Sequence, residues 1–133
     1  MKIKDYMKIK KGMYVRDFFG IDQVEDIVLV GNLYEDSGLY LKHNGKIHLS
    51  KDYMNKMECS NDILDLIKPQ DLMYIDIDSY DGHGGIVVPR VAETKNELKK
   101  YLEPIKKDEH KLVGVLTLEM INNNMFEVEY DKH

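Results

Sequence analysis

Cysteine and tryptophan are nearly missing from this chain of 133 residues, which contains one cysteine and no tryptophan. A single cysteine cannot form a disulfide within one chain, so the small secreted scaffolds that depend on disulfides are excluded. A catalytic thiolate would need a base and an orienting partner, and the residues around Cys59 suggest neither. We therefore interpret Cys59 as a small structural side chain beside a helix start.

The chain also lacks a basic surplus and a long apolar run. It has 19 basic and 24 acidic residues, which gives a formal net charge of -5. Nucleic-acid binders usually carry a basic surplus because neutralising phosphates supplies most of their affinity, so direct nucleic-acid binding is not expected. No stretch approaches the roughly 18 apolar residues of a spanning helix, and the first lysines are not followed by the apolar core of a signal peptide. We expect neither export nor a membrane partner, and we expect a cytoplasmic location.

Repeats, low-complexity tracts and linkers rich in proline, glycine or serine are absent as well, which predicts one continuous domain over residues 1–133. Short runs of β-branched and alternating apolar residues dominate, and a few stretches have helical spacing. The predicted fold class is α+β. We expect a small, strongly bent antiparallel sheet or an SH3-like partial barrel, with two or three short helices.

The best hairpin signal is the Asn44-Gly45 pair between two apolar runs. A two-residue loop would place Leu41 opposite His48. A three-residue loop places Leu41 opposite Ile47 and gives one clean apolar face, so this second register is the predicted one.

The clearest strand covers residues 72–78, where side chains alternate between two faces. Three apolar side chains are predicted to point inward: Met73, Ile75 and Ile77. The strand is predicted to pair with residues 85–91 as a hairpin. Because Pro89 cannot donate a hydrogen bond to a neighbouring strand, it is expected at a sheet edge or a strand end.

Helical spacing predicts a helix over residues 60–68, which Pro69 ends. A second helix starts at a capping box formed by Thr94 and Glu97, and Pro104 is predicted to end it. Residues 117–122 are expected to form one helical turn before a final alternating strand over residues 125–130.

The segment from Ser60 to Leu72, read as SNDILDLIKPQDL, resembles a recurrent segment of small uncharacterised proteins from phages and prophages of low-GC Gram-positive bacteria. In that group a short helix leads through a turn with aspartate into a strand. The stretch from Leu116 to Val128 and the opening residues 4–14 are similar to theirs more weakly. The group's usual turn carries Gly-Asp where this chain has Gln70-Asp71. The resemblance implies a phage or mobile-element origin, and hence the host cytoplasm, and it implies no activity.

Three kinds of functional site are considered, and the sequence does not meet the requirements of any of them. Counted from Asp76, an EF-hand loop would place Tyr80 at position 5 and Val87 at position 12, where acidic ligands are needed. The glycine-rich residues 82–85 precede a predicted strand, whereas phosphate-binding glycine loops precede a helix. The five histidines show no metal-ligand spacing. We therefore predict no catalytic residues, no metal and no cofactor, and the chain is not expected to be an enzyme.

The acidic residues are concentrated between Glu58 and Asp81, where seven acids face one base, Lys68, for a local charge of -6. One interpretation is a solvated face. The other is an acidic recognition face, in which the carboxylates of Asp76 and Asp78 stand roughly 6–7 Å apart along one strand face, close to the spacing of successive phosphates. The candidate partner-binding residues are Tyr74, Asp76, Asp78 and Asp81, with Asp71 and Asp65 as weaker candidates.

Three functional hypotheses follow. The first is a non-enzymatic, phage-derived accessory protein that binds a host protein. Its sharpest version is an inhibitor of host defence, of the anti-CRISPR kind, whose acidic face mimics nucleic acid to occupy a basic nucleic-acid enzyme. The second is a small-molecule or nucleotide-binding module that uses the loop of residues 80–85. The third is a structural phage component that works as a homo-oligomer.

Overall fold

A computed structural model describes residues 8–30, 33–78 and 85–123 of the chain. The chain divides into two compact units, Met1–Leu66 and Ile67–His133, called here the first unit and the second unit. The sequence-based expectation of one domain stays a prediction.

The first unit is built on a five-stranded antiparallel sheet with the strand order β4-β3-β2-β1-β5. Its elements, in chain order, are β1 (Tyr14–Asp17), β2 (Gly20–Val30), β3 (Leu33–Leu41), β4 (Gly45–His48), α1 (Lys51–Lys56), β5 (Glu58–Ser60) and a 3-10 turn (Ile63–Leu66).

The second unit has a three-stranded antiparallel sheet with the strand order β7-β6-β8. Its elements, in chain order, are β6 (Leu72–Asp76), β7 (Val87–Val91), α2 (Lys95–Lys106), β8 (Lys111–Leu116) and α3 (Leu118–Asn122). β6 and β7 form the expected hairpin. Pro89 lies on β7, an edge strand, as its missing N–H requires.

The predicted α+β class is therefore confirmed: antiparallel sheets are combined with short helices. The strands are divided between two sheets, and neither sheet closes into a barrel within the described residues. No helix in this part of the chain is long and apolar enough to cross a membrane.

The core of the first unit is apolar side chains from the sheet and from the segment around α1. It includes Val15, Leu39, Met57 and Cys59, all fully buried. Cys59 lies on β5 opposite Val15, and burial raises the pKa of its thiol. The sequence pattern does not predict α1, which begins where the Ser50 hydroxyl accepts the N–H of Tyr53 at 3.1 Å.

The register of the β3–β4 hairpin differs from both considered alternatives. Leu41 pairs with Gly45, and Leu39 pairs with Ile47, so residues 42–44 form the loop. The reason lies on β2, where the Asp22 carboxylate accepts the backbone N–H groups of His43 and Asn44, both at 2.9 Å. The Asp22 side chain, from a strand outside the hairpin, thus determines the position of the loop. The sequence-based expectation rested on Asn44-Gly45 alone.

In the second unit, the inward-facing prediction for β6 is correct for Met73 and Ile75, which are 0% and 2% exposed. It is wrong for Ile77 as a core residue, since Ile77 lies just beyond the end of β6 and is 38% exposed.

The helix predictions hold in part. Thr94 caps α2 by accepting the N–H of Glu97 at 3.2 Å, as expected. The helix continues past Pro104 to Lys106, so the predicted end is wrong. The region 60–68 contains only the 3-10 turn Ile63–Leu66, with Asp62 accepting the N–H of Leu64. The expected turn within 117–122 is α3, and the predicted strand 125–130 lies outside the described residues.

Candidate functional site

The candidate acidic residues do not form one group. Asp65 belongs to the first unit, where it is exposed and accepts the Ser60 hydroxyl at 2.8 Å. Asp71, Asp76 and Asp78 belong to the second unit, and Asp81 lies outside the described residues. The acidic stretch is thus divided between the two units, and no continuous row of carboxylates can be assigned to it.

Asp71 is a structural residue. It is fully buried, and its carboxylate accepts the N–H of Lys68 at 2.8 Å and the N–H of Leu118 at 2.9 Å. The second of these bonds joins the start of β6 to the start of α3. A buried carboxylate that accepts backbone N–H groups has little capacity to contact another protein, so the partner-binding role of Asp71 stays a prediction that its burial does not favour.

Asp76 is also engaged by its own unit. Its carboxylate accepts the N–H of Asp78 at 3.0 Å, which turns the chain at the end of β6. It lies directly against Gly85, where any larger side chain would overlap it. The two carboxylates predicted to stand in parallel along one strand face are therefore not equivalent, since Asp76 stabilises the turn and Asp78 lies beyond the strand.

Tyr74 lies on the face of the three-stranded sheet opposite to the buried Met73 and Ile75. Side chains that are directly paired across strands share a face. Tyr74 pairs with Pro89, and Leu72 pairs with both Val91 and Leu116. We call this surface the outer face; its members are Leu72, Tyr74, Val87, Pro89, Val91 and Leu116, and Asp76 with its cross-strand neighbour Lys111 forms one end.

The outer face is apolar and open to solvent. Val87 is 47% exposed and Val91 is 40% exposed, and Pro89 between them is exposed as well. Tyr74, Leu72 and Leu116 are half-buried. An exposed apolar surface of this kind, with charged residues at one end, is typical of an interaction site. Its tyrosine combines a broad apolar ring with a hydroxyl that can form a hydrogen bond, a combination enriched at interfaces.

A second candidate lies in the first unit, where Asp22 and His43 form a carboxylate–imidazole pair. The distance from Nδ1 of His43 to Oδ1 of Asp22 is 2.9 Å, and the imidazole is exposed. Burial by itself would raise the pKa of Asp22, but hydrogen bonds from the His43 ring and from the N–H groups of His43, Gln23 and Asn44 outweigh it, so the pKa is lowered. The pair borders a cavity of about 170 Å³ together with Tyr14 and Lys42.

Chemically this pair could orient an imidazole toward solvent, as a general base requires. The Asp22 carboxylate makes four hydrogen bonds, and three of them are with backbone or side-chain groups of residues 42–44. These bonds also explain Asp22 as an anchor of the turn. The lining of the cavity includes no serine, threonine or cysteine that could act as a nucleophile. We therefore assign the pair to the architecture of the first unit.

Asp17 and Tyr53 form another buried polar contact in the first unit. The Tyr53 hydroxyl donates to Oδ2 of Asp17 at 2.5 Å, and the N–H of Phe19 donates to Oδ1 at 2.7 Å. Burial raises the pKa of Asp17 despite these bonds, and burial together with the Asp17 charge raises the pKa of Tyr53 well above its usual value. These groups tie α1 to the β1–β2 turn.

In residues 8–30, 33–78 and 85–123, no group of three histidine, cysteine or acidic side chains is placed to hold a metal ion. Comparison of the chain with protein-family models, with curated proteins and with solved structures gave no match.

The sequence-based candidates include Tyr74 and none of its apolar neighbours on the outer face. The sequence predicts a strand that contains Val87 and Val91, but apolar and polar residues do not alternate along it. The pattern therefore does not indicate which face of the strand is buried. The register between β6 and β7 provides that information, and it is a property of pairing between strands rather than of either strand alone.

Proposed function

We propose that this chain is a non-enzymatic accessory protein that binds another protein through the outer face of its second unit. The observation that carries the proposal is the continuous, exposed apolar surface around Tyr74, Val87 and Val91. The β7 edge of the sheet offers a poorer contact, because Pro89 interrupts the row of N–H groups that strand addition would use. Contact through the face is therefore favoured over pairing through the β7 edge.

Charge indicates the chemistry of the partner. Residues 67–133 contain thirteen acidic and nine basic residues, a formal net charge of -4, whereas residues 1–66 contain eleven and ten, a net charge of -1. A partner surface with an apolar centre and a basic rim would complement the second unit, and the opposite charges would speed encounter more than they would tighten the complex.

In its most specific form the proposal is a phage-encoded inhibitor of a host defence enzyme, of the anti-CRISPR kind. The phage resemblance and the acidic second unit support this form. Mimicry of a nucleic-acid strand by a row of carboxylates receives less support, because Asp71 is buried and Asp76 is engaged by Asp78 and Gly85. Apolar contact with an acidic surround is the version that we favour.

The test uses the full chain as bait in host-cell extract, followed by affinity measurement with the purified partner. The double variant Val87→Lys/Val91→Lys places two charges on the outer face. The control is Val28→Lys, since Val28 lies on β2 of the first unit and is 39% exposed. We expect the double variant to lose binding, the control to bind as wild type does, and association to slow as salt rises.

Equal binding by wild type and the double variant would refute the outer face as the contact surface. Two other outcomes would replace the proposal. Concentration-dependent self-association that the double variant abolishes, with no captured partner, would favour the structural homo-oligomer. A metabolite retained by the purified chain and lost on changes in residues 80–85 would favour a small-molecule module using that loop, which lies mostly outside the described residues.

A further inference from the structure

The face of the three-stranded sheet opposite to the outer face borders a cavity. Its volume is about 300 Å³, and it lies between β6, β7, α2 and the turn that follows α2. The lining residues are Ile75, Ile77, Arg90, Lys100, Tyr101, Pro104 and His110. Small-molecule pockets span roughly 300–1,000 Å³, so this cavity matches a compact ligand.

Apart from the phenol of Tyr101, the polar side chains of the lining are basic. Arg90, Lys100 and His110 line the cavity together, and no acidic residue does. This is a strong local bias, because acidic residues outnumber basic ones by thirteen to nine in residues 67–133. Within the described parts of the chain, none of the three forms an ion pair with a carboxylate.

The donors of Arg90 are largely available. Its guanidinium uses Nη1 to donate to the carbonyl of Pro89 at 3.0 Å, which fixes the side chain along β7. Because a guanidinium has five N–H donors in a planar fork, the remaining donors can bind a carboxylate or a phosphate in a bidentate manner. Lys100 on α2 contributes a mobile point charge on the other side of the cavity.

His110 is held by the cap of α2. The N–H groups of Glu109 and His110 both donate to the carbonyl of Pro104, at 2.9 and 3.2 Å, and Asp108 takes a positive φ of 59° to allow the turn. Two lining residues, Pro104 and His110, are therefore joined by a backbone hydrogen bond. Sites built from secondary structure and its caps are preorganised, which lowers the entropic cost of binding.

The rest of the lining is apolar. Ile75 is buried in the sheet, and Ile77, Tyr101 and Pro104 complete the wall. The cavity thus combines an apolar wall with basic side chains. This combination suits a ligand that has a compact apolar body and an anionic group. We propose that this cavity binds a small organic anion with an apolar body, through Arg90, Lys100 and His110.

The proposal is independent of the protein-binding surface, because residues 75 and 90 point to the face opposite to residues 74 and 89. Changes in the cavity therefore test it without altering the outer face.

The experiment titrates the full chain, labelled with ¹⁵N, with four probes in two-dimensional NMR spectra: benzoate, phenyl phosphate, benzamide and inorganic phosphate. We expect the two aromatic anions to shift the amide signals of β6, β7 and α2 in a saturable manner. Benzamide has the same ring without the charge, and inorganic phosphate has the charge without the ring, so both should bind about tenfold more weakly or worse. The stronger of benzoate and phenyl phosphate identifies the anionic group as a carboxylate or a phosphate.

Two variants locate the site. Arg90→Gln should weaken binding of the aromatic anions by about tenfold, as expected for the loss of a charge-assisted contact. The matched control is Lys99→Gln, which removes the same charge from the exposed residue next to Lys100 and should bind as wild type does. Ile77→Phe keeps all three basic side chains and fills part of the cavity, so it should also weaken binding.

Equal binding of benzoate and benzamide, or equal effects of Arg90→Gln and Lys99→Gln, would overturn the proposal. Should Arg90→Gln fail to fold, Arg90→Lys and Ile77→Phe would decide: unchanged binding in both would refute the site, and weaker binding in Ile77→Phe would support it.

Discussion

Apart from Asp71, the described charged side chains of the second unit are used differently from the buried ones of the first unit. The first unit buries Arg16, Asp17 and Asp22, and each forms hydrogen bonds that join separate segments; Arg16, for example, donates to the carbonyl of Leu66 at 2.9 Å. In the second unit, Arg90 and Lys100 are exposed beside a cavity, and the outer face leaves valines in contact with solvent.

This difference separates architecture from recognition. A buried carboxylate whose oxygens accept several N–H groups has no capacity left for a ligand, and its perturbed pKa then reports folding rather than function. Exposed cations with spare donors and exposed apolar side chains have unused binding capacity. The buried charges of the first unit therefore have structural roles, and the candidate binding surfaces lie in the second unit.

The largest effect is expected for a carboxylate introduced into the core of the second unit. Ile75→Asp should lower the free energy of unfolding by about 4 kcal/mol, because the carboxylate loses its hydration and the packing of isoleucine is lost, which the neighbouring Arg90 and Lys100 offset only in part. Val87→Asp on the neighbouring strand should cost little, since Val87 is 47% exposed. Denaturant unfolding of both variants checks the assignment of the two faces, and similar losses would contradict it.

The next prediction concerns the one buried acid described in the second unit. Asp71→Ala should lower the free energy of unfolding by about 2–4 kcal/mol, because the N–H groups of Lys68 and Leu118 lose their acceptor. Asp65→Ala removes an exposed acid of the same sequence stretch and should have a small effect. Thermal or denaturant unfolding gives both values. An Asp71→Ala variant as stable as wild type would remove Asp71 from the architecture and return it to the candidate surface.

Local signals in the sequence predicted the features that neighbouring residues decide. The capping box at Thr94, the edge position of Pro89 and the buried side chains of Met73 and Ile75 all follow from residues within one element. The sequence does not predict α1, because residues 51–56 have no apolar periodicity. The capping role of Ser50 can be recognised only once the helix is known.

Features decided by distant residues could not be predicted in this way. The register of the β3–β4 hairpin depends on Asp22, which is about twenty residues earlier in the chain. Arg90, Lys100 and His110 lie on β7, on α2 and after its cap, so their spacing carries no motif and only the packing of the elements brings them to one cavity.

The buried acids of the first unit should show opposite pH responses. The folded-state pKa of Asp22 is lowered, so its contribution to stability is present above the unfolded value near 3.8 and is lost as pH falls through the folded pKa. The pKa of Asp17 is raised, so its ionisation reduces stability as pH rises from 3.8 through the folded pKa.

Two amide variants measure this contrast. Asp22→Asn should cost about 1–2 kcal/mol at pH 7, with a smaller deficit at pH 3. Asp17→Asn should change in the other direction, becoming more stable relative to wild type as pH rises from 3 to 7. Unfolding curves at several pH values provide the test. Parallel pH responses of the two variants would contradict the structural distinction between the carboxylates.

The smallest effect is expected at Asp76, where an acceptor matters and a charge does not. Asp76→Asn should leave the free energy of unfolding almost unchanged, since the amide oxygen can still accept the N–H of Asp78. Asp76→Lys removes the acceptor and forces a longer side chain against Gly85, so it should cost about 1 kcal/mol or more. Thermal unfolding of both variants, and their affinity for the captured partner, separate the two roles. If Asp76→Asn is stable but fails to bind, the charge of Asp76 belongs to the contact surface after all; if it binds as wild type does, the outer face acts through its apolar centre.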